Sequence, residues 1–277
     1  MILAAELSLG RLRSKISQRT SQHAFLVASA LLFAASAALT IAWCESMPAM
    51  GRMPMPGGWT MSMAWMRVPG QTWLGAAVSF LGMWVVMMVA MMLPSLMPVL
   101  QRHREFVAAA GEPRLARLTT LVAAGYFFVW TVVGIAVFPL GVALAAVEMR
   151  QAALARAVPL AVGVVVLIAG ALQFTAWKAR HLACCREAPE PAATQPAAGR
   201  AAWRLGLRLG LHCGRCCANL MAIVLVIGVM DLRAMVLVTA AITAERLAPA
   251  GDRAARAVGA VVVVAGLFLI ARAALLG

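Results

Sequence analysis

Charge is scarce in this chain. Asp and Glu number ten and Lys and Arg twenty-four in 277 residues, and charged residues make up only 12%. So little polar surface cannot cover a soluble globule of this length. There is one tyrosine, and aromatics reach only 6%, so the net charge of +14 has no basic, aromatic-rich domain to accompany it. That combination excludes nucleic acid as a partner. Catalytic triads, phosphate-cradling glycine loops and nucleotide motifs are missing, and the expectation is a binding protein and not an enzyme. Segments of strictly alternating polarity are also missing, which excludes a transmembrane β-barrel.

What the chain has is apolar length: 63% hydrophobic residues and a mean hydropathy of +0.89. Several segments approach or exceed the roughly 20 apolar residues needed to cross a bilayer, where only helices satisfy their own backbone. The fold expected is an all-α polytopic transmembrane helix bundle of about six helices, with the lipid bilayer as its first partner. A basic leader covers 1–23 and the transmembrane domain 24–277. The first helix is expected over 24–43, retained because it is longer than a signal-peptide core and no A-x-A site follows it. A Met-rich loop follows at 45–72, broken by Pro48, Pro54, Pro56, Gly57 and Gly58. A second helix over 73–93 is distorted at Pro94 and Pro98, and a loop carries Arg102, His103, Arg104, Arg114 and Arg117. Further helices are expected over 118–147, 157–177, 218–244 and 257–272. A polar loop spans 178–217. Around Gly228–Asp231 a break is favoured over one long helix, because a continuous helix would put Asp231 and Arg233 near mid-depth; a full turn there makes seven helices.

Orientation follows from the cations. With six spans and a cytoplasmic amino terminus, sixteen of the twenty-four Lys and Arg face inside, from Arg11, Arg13, Lys15 and Arg19 through Lys178 and Arg215 to Arg272. The positive-inside rule then puts the chain in a bacterial inner membrane with 45–72 outside and 178–217 in the cytoplasm.

Against this apolar background, four histidines and six cysteines are few, yet most fall in two clusters: His181, Cys184 and Cys185, then His212, Cys213, Cys216 and Cys217. Thiolates and imidazoles bind Zn(II) and Cu(I), and the two-residue spacing of Cys213 and Cys216 lets both sulfurs meet one ion. Arg215 between them is expected to favour thiolate. Cytoplasmic cysteines stay reduced, so ligand roles outrank disulfides. Methionine supplies a third soft donor. Met47, Met50, Met53, Met55, Met61, Met63 and Met66 crowd the outer loop, where thioethers hold Cu(I) and thiols would oxidise. Met83, Met87 and Met91, with Met88 and Met92, recur every four residues along the second helix; that strip reads either as ordinary packing or as a path. Gln173 and Asn219 read as structural hydrogen-bonding groups, and Asp231 and Glu245 stay open. Two alternatives stand beside Cu(I) handling. One is a non-transporting scaffold closed by structural Zn(II) or copper; the other is thiol redox, for which Cys44, single outside, supplies no partner pair.

Three blocks bear a family likeness. Trp84-x-x-Met87-Met88-x-Ala90-Met91-Met92-Leu93-Pro94-Ser95 is the first, Lys178-x-x-His181-Leu182-x-x-Cys185-Arg186 the second, and Gly206-x-x-x-Gly210-x-x-Cys213-x-x-Cys216-Cys217 the third. Together they resemble a bacterial family of predicted metal-binding integral membrane proteins, some of them named copper chaperones. The chain departs from the pattern at His181, where the family has Cys, and at Ala218, where an aromatic is common; Cys184 is a substitute for the missing thiol. The resemblance implies metal binding at His181, Cys185, Cys213, Cys216 and Cys217. The resulting expectation is Cu(I) capture at Met47, Met50, Met53 and Met55, passage along Met87, Met88, Met91 and Met92, and receipt by the Cys/His set. A copper chaperone or cuproenzyme is the expected protein partner.

Overall fold

The computed structural model describes residues 2–46, 53–67, 70–110, 112, 114–186 and 198–276. Its elements are α1 (Ile2–Ser46), β1 (Met53–Met55), β2 (Trp59–Met61), α2 (Trp73–Ala109), α3 (Leu115–Arg150), α4 (Ala152–Leu172), α5 (Ala176–Arg186), α6 (Ala198–Ile227), α7 (Leu232–Leu247) and α8 (Gly251–Leu276). Six stretches are long and apolar enough to cross a membrane: Arg19–Ser46, α2, α3, α4, Gly199–Ile227 and Gly251–Leu275. The all-α polytopic bundle is as expected.

Several boundaries differ from the sequence reading. The basic leader is not separate, since α1 is one helix from Ile2; no proline precedes Pro48, and Gly10 alone costs a helix only about 1 kcal/mol. Pro94 and Pro98 do not end α2, which continues to Ala109. In an apolar bundle, neighbouring helices and hydroxyl side chains compensate the backbone groups that proline frees. Arg102, His103 and Arg104 are therefore helical. Arg104 is buried, donating to the Ser21 carbonyl at 3.1 Å and to Ser21 Oγ at 2.9 Å, with its guanidinium 4.4 Å from the Phe25 ring centre. These contacts dock α1 on α2. The stretch 178–217 is not a loop either: α5 occupies its start and α6 begins at Ala198, so His212–Cys217 sit on a helix.

The expected break is present. Gly228 has φ +145°, which favours glycine, and Asp231 caps α7 by accepting from Ala234 N at 2.8 Å. Asp231 thus lies at a turn and not at mid-helix. Beyond it, α7 runs back along α6 until Glu245 and Arg246 reach the level of Cys213 and Cys216. At 1.5 Å per residue, sixteen residues cover about 24 Å, so α7 retraces much of α6 without being one of the six membrane-length apolar helices. On α4, Gly163 faces Ile270 and Gly170 faces Val263, so α8 runs antiparallel to α4. Arg272 therefore belongs to the end bearing Ala152, and Arg253 and Arg256 to the end bearing α5. This corrects the six-span placement of Arg272.

Two close crossings position the interior. Trp84 Nε1 donates to the Trp130 carbonyl at 2.8 Å, and its ring fills the space beside Gly134. On the other side of α3, Gly125 faces Gly206 and Leu207, and Gly210 faces Tyr126 and Val129. Gly206 and Gly210 form a small-xxx-small stripe that lets α6 approach α3 closely. A Cβ on Gly206 would collide with the Val122 carbonyl, whereas Gly214 has open space around it. Gly206→Ala is expected to destabilise the detergent-solubilised protein by about 1–3 kcal/mol, while Gly214→Ala leaves the melting temperature unchanged or slightly higher. Thermal unfolding of the two variants checks this.

Candidate metal centre

On α6, Cys213, Cys216 and Cys217 stand at i, i+3 and i+4, one face of a helix. That face is turned into the bundle, and all three residues are at most 1% exposed. Cys213 Sγ is 3.7 Å from Cys217 Sγ and 4.0 Å from Met92 Sδ on α2. Cys216 lies next to Cys217 on the helix and near Cys185, the buried thiol of α5. Four thiols and one thioether from three helices thus share one pocket. An ion with metal–sulfur bonds of about 2.3 Å in tetrahedral geometry separates its sulfurs by about 3.8 Å, close to the Cys213–Cys217 spacing. Among the described residues, no group of three or more Cys, His, Asp or Glu side chains stands close enough together to hold a metal ion. The closest thiol pair is Cys213–Cys217, with Cys216 and Cys185 adjoining it.

Charge is built into the pocket wall. Tyr126 Oη donates to Cys213 Sγ at 2.9 Å, and Arg246 Nη1 lies 3.4 Å from the same sulfur and 3.0 Å from Ser95 Oγ. Lys178, fully buried, donates to the Cys216 carbonyl at 2.8 Å and pairs with Glu245 at 2.7 Å. Gln173 Nε2 donates to the other Glu245 oxygen at 2.7 Å. Arg186 donates to the Glu245 carbonyl at 3.2 Å and the Pro249 carbonyl at 3.0 Å, tying α5 to the end of α7. Lys178–Glu245 is the only ion pair among the described residues, and Arg246 has no carboxylate in range. A guanidinium so placed stabilises thiolate at Cys213 by charge and hydrogen bonding together. The role expected for Arg215 falls to Arg246; Arg215 itself is exposed.

The other predicted ligands distribute unevenly. Met83, Met87, Met88, Met91 and Met92 are all buried, so the strip faces the bundle interior and not lipid. His212 is about 100° round the helix from Cys213 and only half-buried. Cys184 is exposed. His181 stacks on Trp177, ring centres 4.4 Å apart, and its Nδ1 bonds to the Trp177 carbonyl at 2.8 Å. Burial and the contact with Cys216 hold the Cys185 thiol above the usual thiol range, the contact being the larger cause. In the Met-rich segment a hairpin replaces the expected loop: Met53 pairs with Met61 and Met55 with Trp59. Strand alternation puts these four on one face, with Pro54 and Thr60 on the other. Trp59 Nε1 donates to the Ala155 carbonyl at 2.8 Å, and Trp65 packs beside Gly141 with its ring 5.3 Å from Phe80. The hairpin is thus seated on the start of α4, and Trp65 just after it packs against α3 and α2. Met47 and Met50 lie outside the described residues.

The sequence reading passed over Tyr126, Ser95 and Arg246. It left Glu245 open and took Gln173 as structural. A single tyrosine and a Glu-Arg pair inside apolar sequence were the signals that pointed to them.

A family of copper chaperones, PpoB2, matches residues 81–269. The chain belongs to the PpoB2 copper chaperone family. The matched region holds the Met strip of α2, every thiol of the pocket, and Tyr126, Lys178, Glu245 and Arg246; the hairpin precedes it. No curated protein and no solved structure matches the chain. For this copper chaperone relative, the pocket of α2, α5, α6 and α7 is the place where soft donors and compensating charge coincide.

Removing one partner of a buried ion pair leaves the other uncompensated, at a cost of about 3–5 kcal/mol, whereas an apolar replacement of both is far milder. Glu245→Ala is expected to destabilise this PpoB2 protein by that amount. Lys178→Met combined with Glu245→Leu should recover most of it. Thermal unfolding in detergent of the single and double variants decides the point.

Proposed function

We propose that the protein takes Cu(I) from the hairpin end of the bundle, moves it along the thioethers of α2 and holds it at the thiol pocket. The observation that carries this is the contact between Cys213 and Met92, where the last thioether of the strip meets the first thiol. From Met83 to Met87 to Met91, and from Met88 to Met92, each step along the helix is about 6 Å. Thioethers are weak, uncharged Cu(I) ligands, so an ion exchanges among them readily, and thiolates at the end hold it more tightly. The donor set also separates copper from zinc. A pocket in which a thioether sits against a thiol, and in which the half-buried imidazole of His212 is turned aside, suits Cu(I) better than the Cys/His shells of structural zinc. Copper is cargo here, and Arg246 supplies the positive charge that a copper dithiolate in an apolar interior requires.

Met53, Met55 and Met61 on one hairpin face fit a capture role. Between them and Met83 lie Trp65 and Phe80, ring centres 5.3 Å apart, and Trp84 follows at 5.9 Å from Phe80 just beyond Met83. Placing the hairpin outside and α5 in the cytoplasm of a bacterial cell, by the positive-inside rule, makes the direction inward.

Reconstituted vesicles loaded with a Cu(I)-responsive dye test the path. Changing Met83, Met87 and Met88 together to Leu keeps volume and hydrophobicity. It is expected to slow copper arrival by about tenfold or more, the worth of about 1.4 kcal/mol, without lowering the copper bound at equilibrium. Cys213→Ser should instead lower the bound copper. Equal uptake by parent and methionine variant would remove the path, and zinc in place of copper in protein from copper-replete cells would favour the scaffold reading.

A further inference from the structure

The ligands of α5 divide between two environments. Lys178, Leu182 and Cys185 are buried on one face, which packs on α6 where Lys178 donates to the Cys216 carbonyl at 2.8 Å. His181 and Cys184, three apart, lie on the helix surface; Cys184 is exposed and His181 half-buried. Side chains at i and i+3 have Cβ atoms about 5–6 Å apart, within reach of one ion. The ring of His181 is also held as metal-binding imidazoles are held. Its Nδ1–H donates to the Trp177 carbonyl at 2.8 Å and its ring packs, tilted, against the Trp177 indole, which leaves Nε2 as the nitrogen that faces a ligand. Cys184 is joined through the backbone to Cys185, so the surface pair is one residue from the buried cluster.

We infer that His181 and Cys184 form a second, surface Cu(I) site, the exit station through which the buried pocket passes copper to a soluble, acidic, thiol-bearing carrier. This rests on the pocket reading given above. The step is ligand exchange with copper remaining Cu(I). The bond to Cys216 Sγ breaks as one to Cys185 Sγ forms; the ion then leaves Cys185 for Cys184 Sγ and His181 Nε2. Cys184 gives its thiol proton to water, and the sulfur that loses copper takes a proton back, so charge balances. The carrier's acidity follows from the surroundings: Arg180, next to His181, and Arg215, next to the Cys216 whose carbonyl accepts from Lys178 of α5, are both exposed. An anionic partner is steered to such a patch and released by salt.

The test uses the full chain in detergent, loaded with one Cu(I) per chain so that the tighter buried thiols fill first, and bathocuproine disulfonate, an anionic Cu(I) chelator, as the acceptor probe. Wild type is expected to release copper rapidly, more slowly as salt is raised. Cys184→Ser and His181→Ala should each slow release by about tenfold with the copper content before chelation unchanged. Release at the wild-type rate from both variants overturns the exit site. So does a fall in their copper content, which would assign these residues to the buried pocket. A wild-type chain that takes up no Cu(I) overturns the pocket reading itself, and this inference with it.

Discussion

Two of the three buried cations, Lys178 and Arg246, lie beside the thiols, and only one of those two has a carboxylate. Lys178 is matched by Glu245, so their charges cancel. Arg246 is left with a hydroxyl and a thiol, Ser95 and Cys213. Burying an unmatched guanidinium is costly in a medium of low dielectric, and the anion available to offset it is thiolate, free or metal-bound. The placement of the thiols, the tyrosine and the serine around that cation is therefore one arrangement with one electrostatic reason. Helix α7 exists in its present form to deliver it: the turn at Gly228–Asp231 reverses the chain so that Glu245 and Arg246 reach the depth of Cys213 and Cys216.

The same depth is where α2 changes character. Above it the buried face of α2 is thioether and aromatic, with Trp84 wedged against Gly134. At Pro94 the helix loses one backbone donor, and Ser95 next to it bonds to Met92 O at 3.0 Å and receives Arg246. Neutral, exchangeable ligands thus give way to charged, tighter ones at a single level of the bundle. The glycine crossing of α3 and α6 fixes that level from the other side, since Tyr126 reaches Cys213 only because Gly206 and Gly210 admit α3 so closely.

Much of this was legible in the sequence. Apolar spans of sufficient length gave the helical bundle, the scarcity of His and Cys made their clustering visible, and the helix break at Gly228–Asp231 followed from keeping Asp231 out of mid-depth. Cys213, Cys216, Cys217 and Cys185 were identified, and all four are buried. What local pattern misled was helix extent. Polarity over 198–217 reads as a loop, because arginines on one face of a helix and thiols on the other average to a polar stretch; the division appears only once α3 and α5 cover the thiol side. His181, Cys184 and His212 were grouped with the pocket by proximity in sequence, but helical phase turns them away from it. Arg215 was chosen as the thiol's cation for the same reason, whereas Arg246, distant in sequence, reaches Cys213 through the return of α7. The Met hairpin was missed because Pro and Gly obscure strand alternation over only three residues on each side.

The central claim is that the pocket of Cys185, Cys213, Cys216, Cys217 and Met92 is a soft-ligand Cu(I) site. X-ray absorption at the copper edge, on the full chain carrying one Cu(I), tests it most directly. The account predicts a first shell of sulfur alone, with no nitrogen or oxygen, and its change on Cys213→Ser. A shell dominated by nitrogen or oxygen, or one indifferent to that substitution, would contradict it.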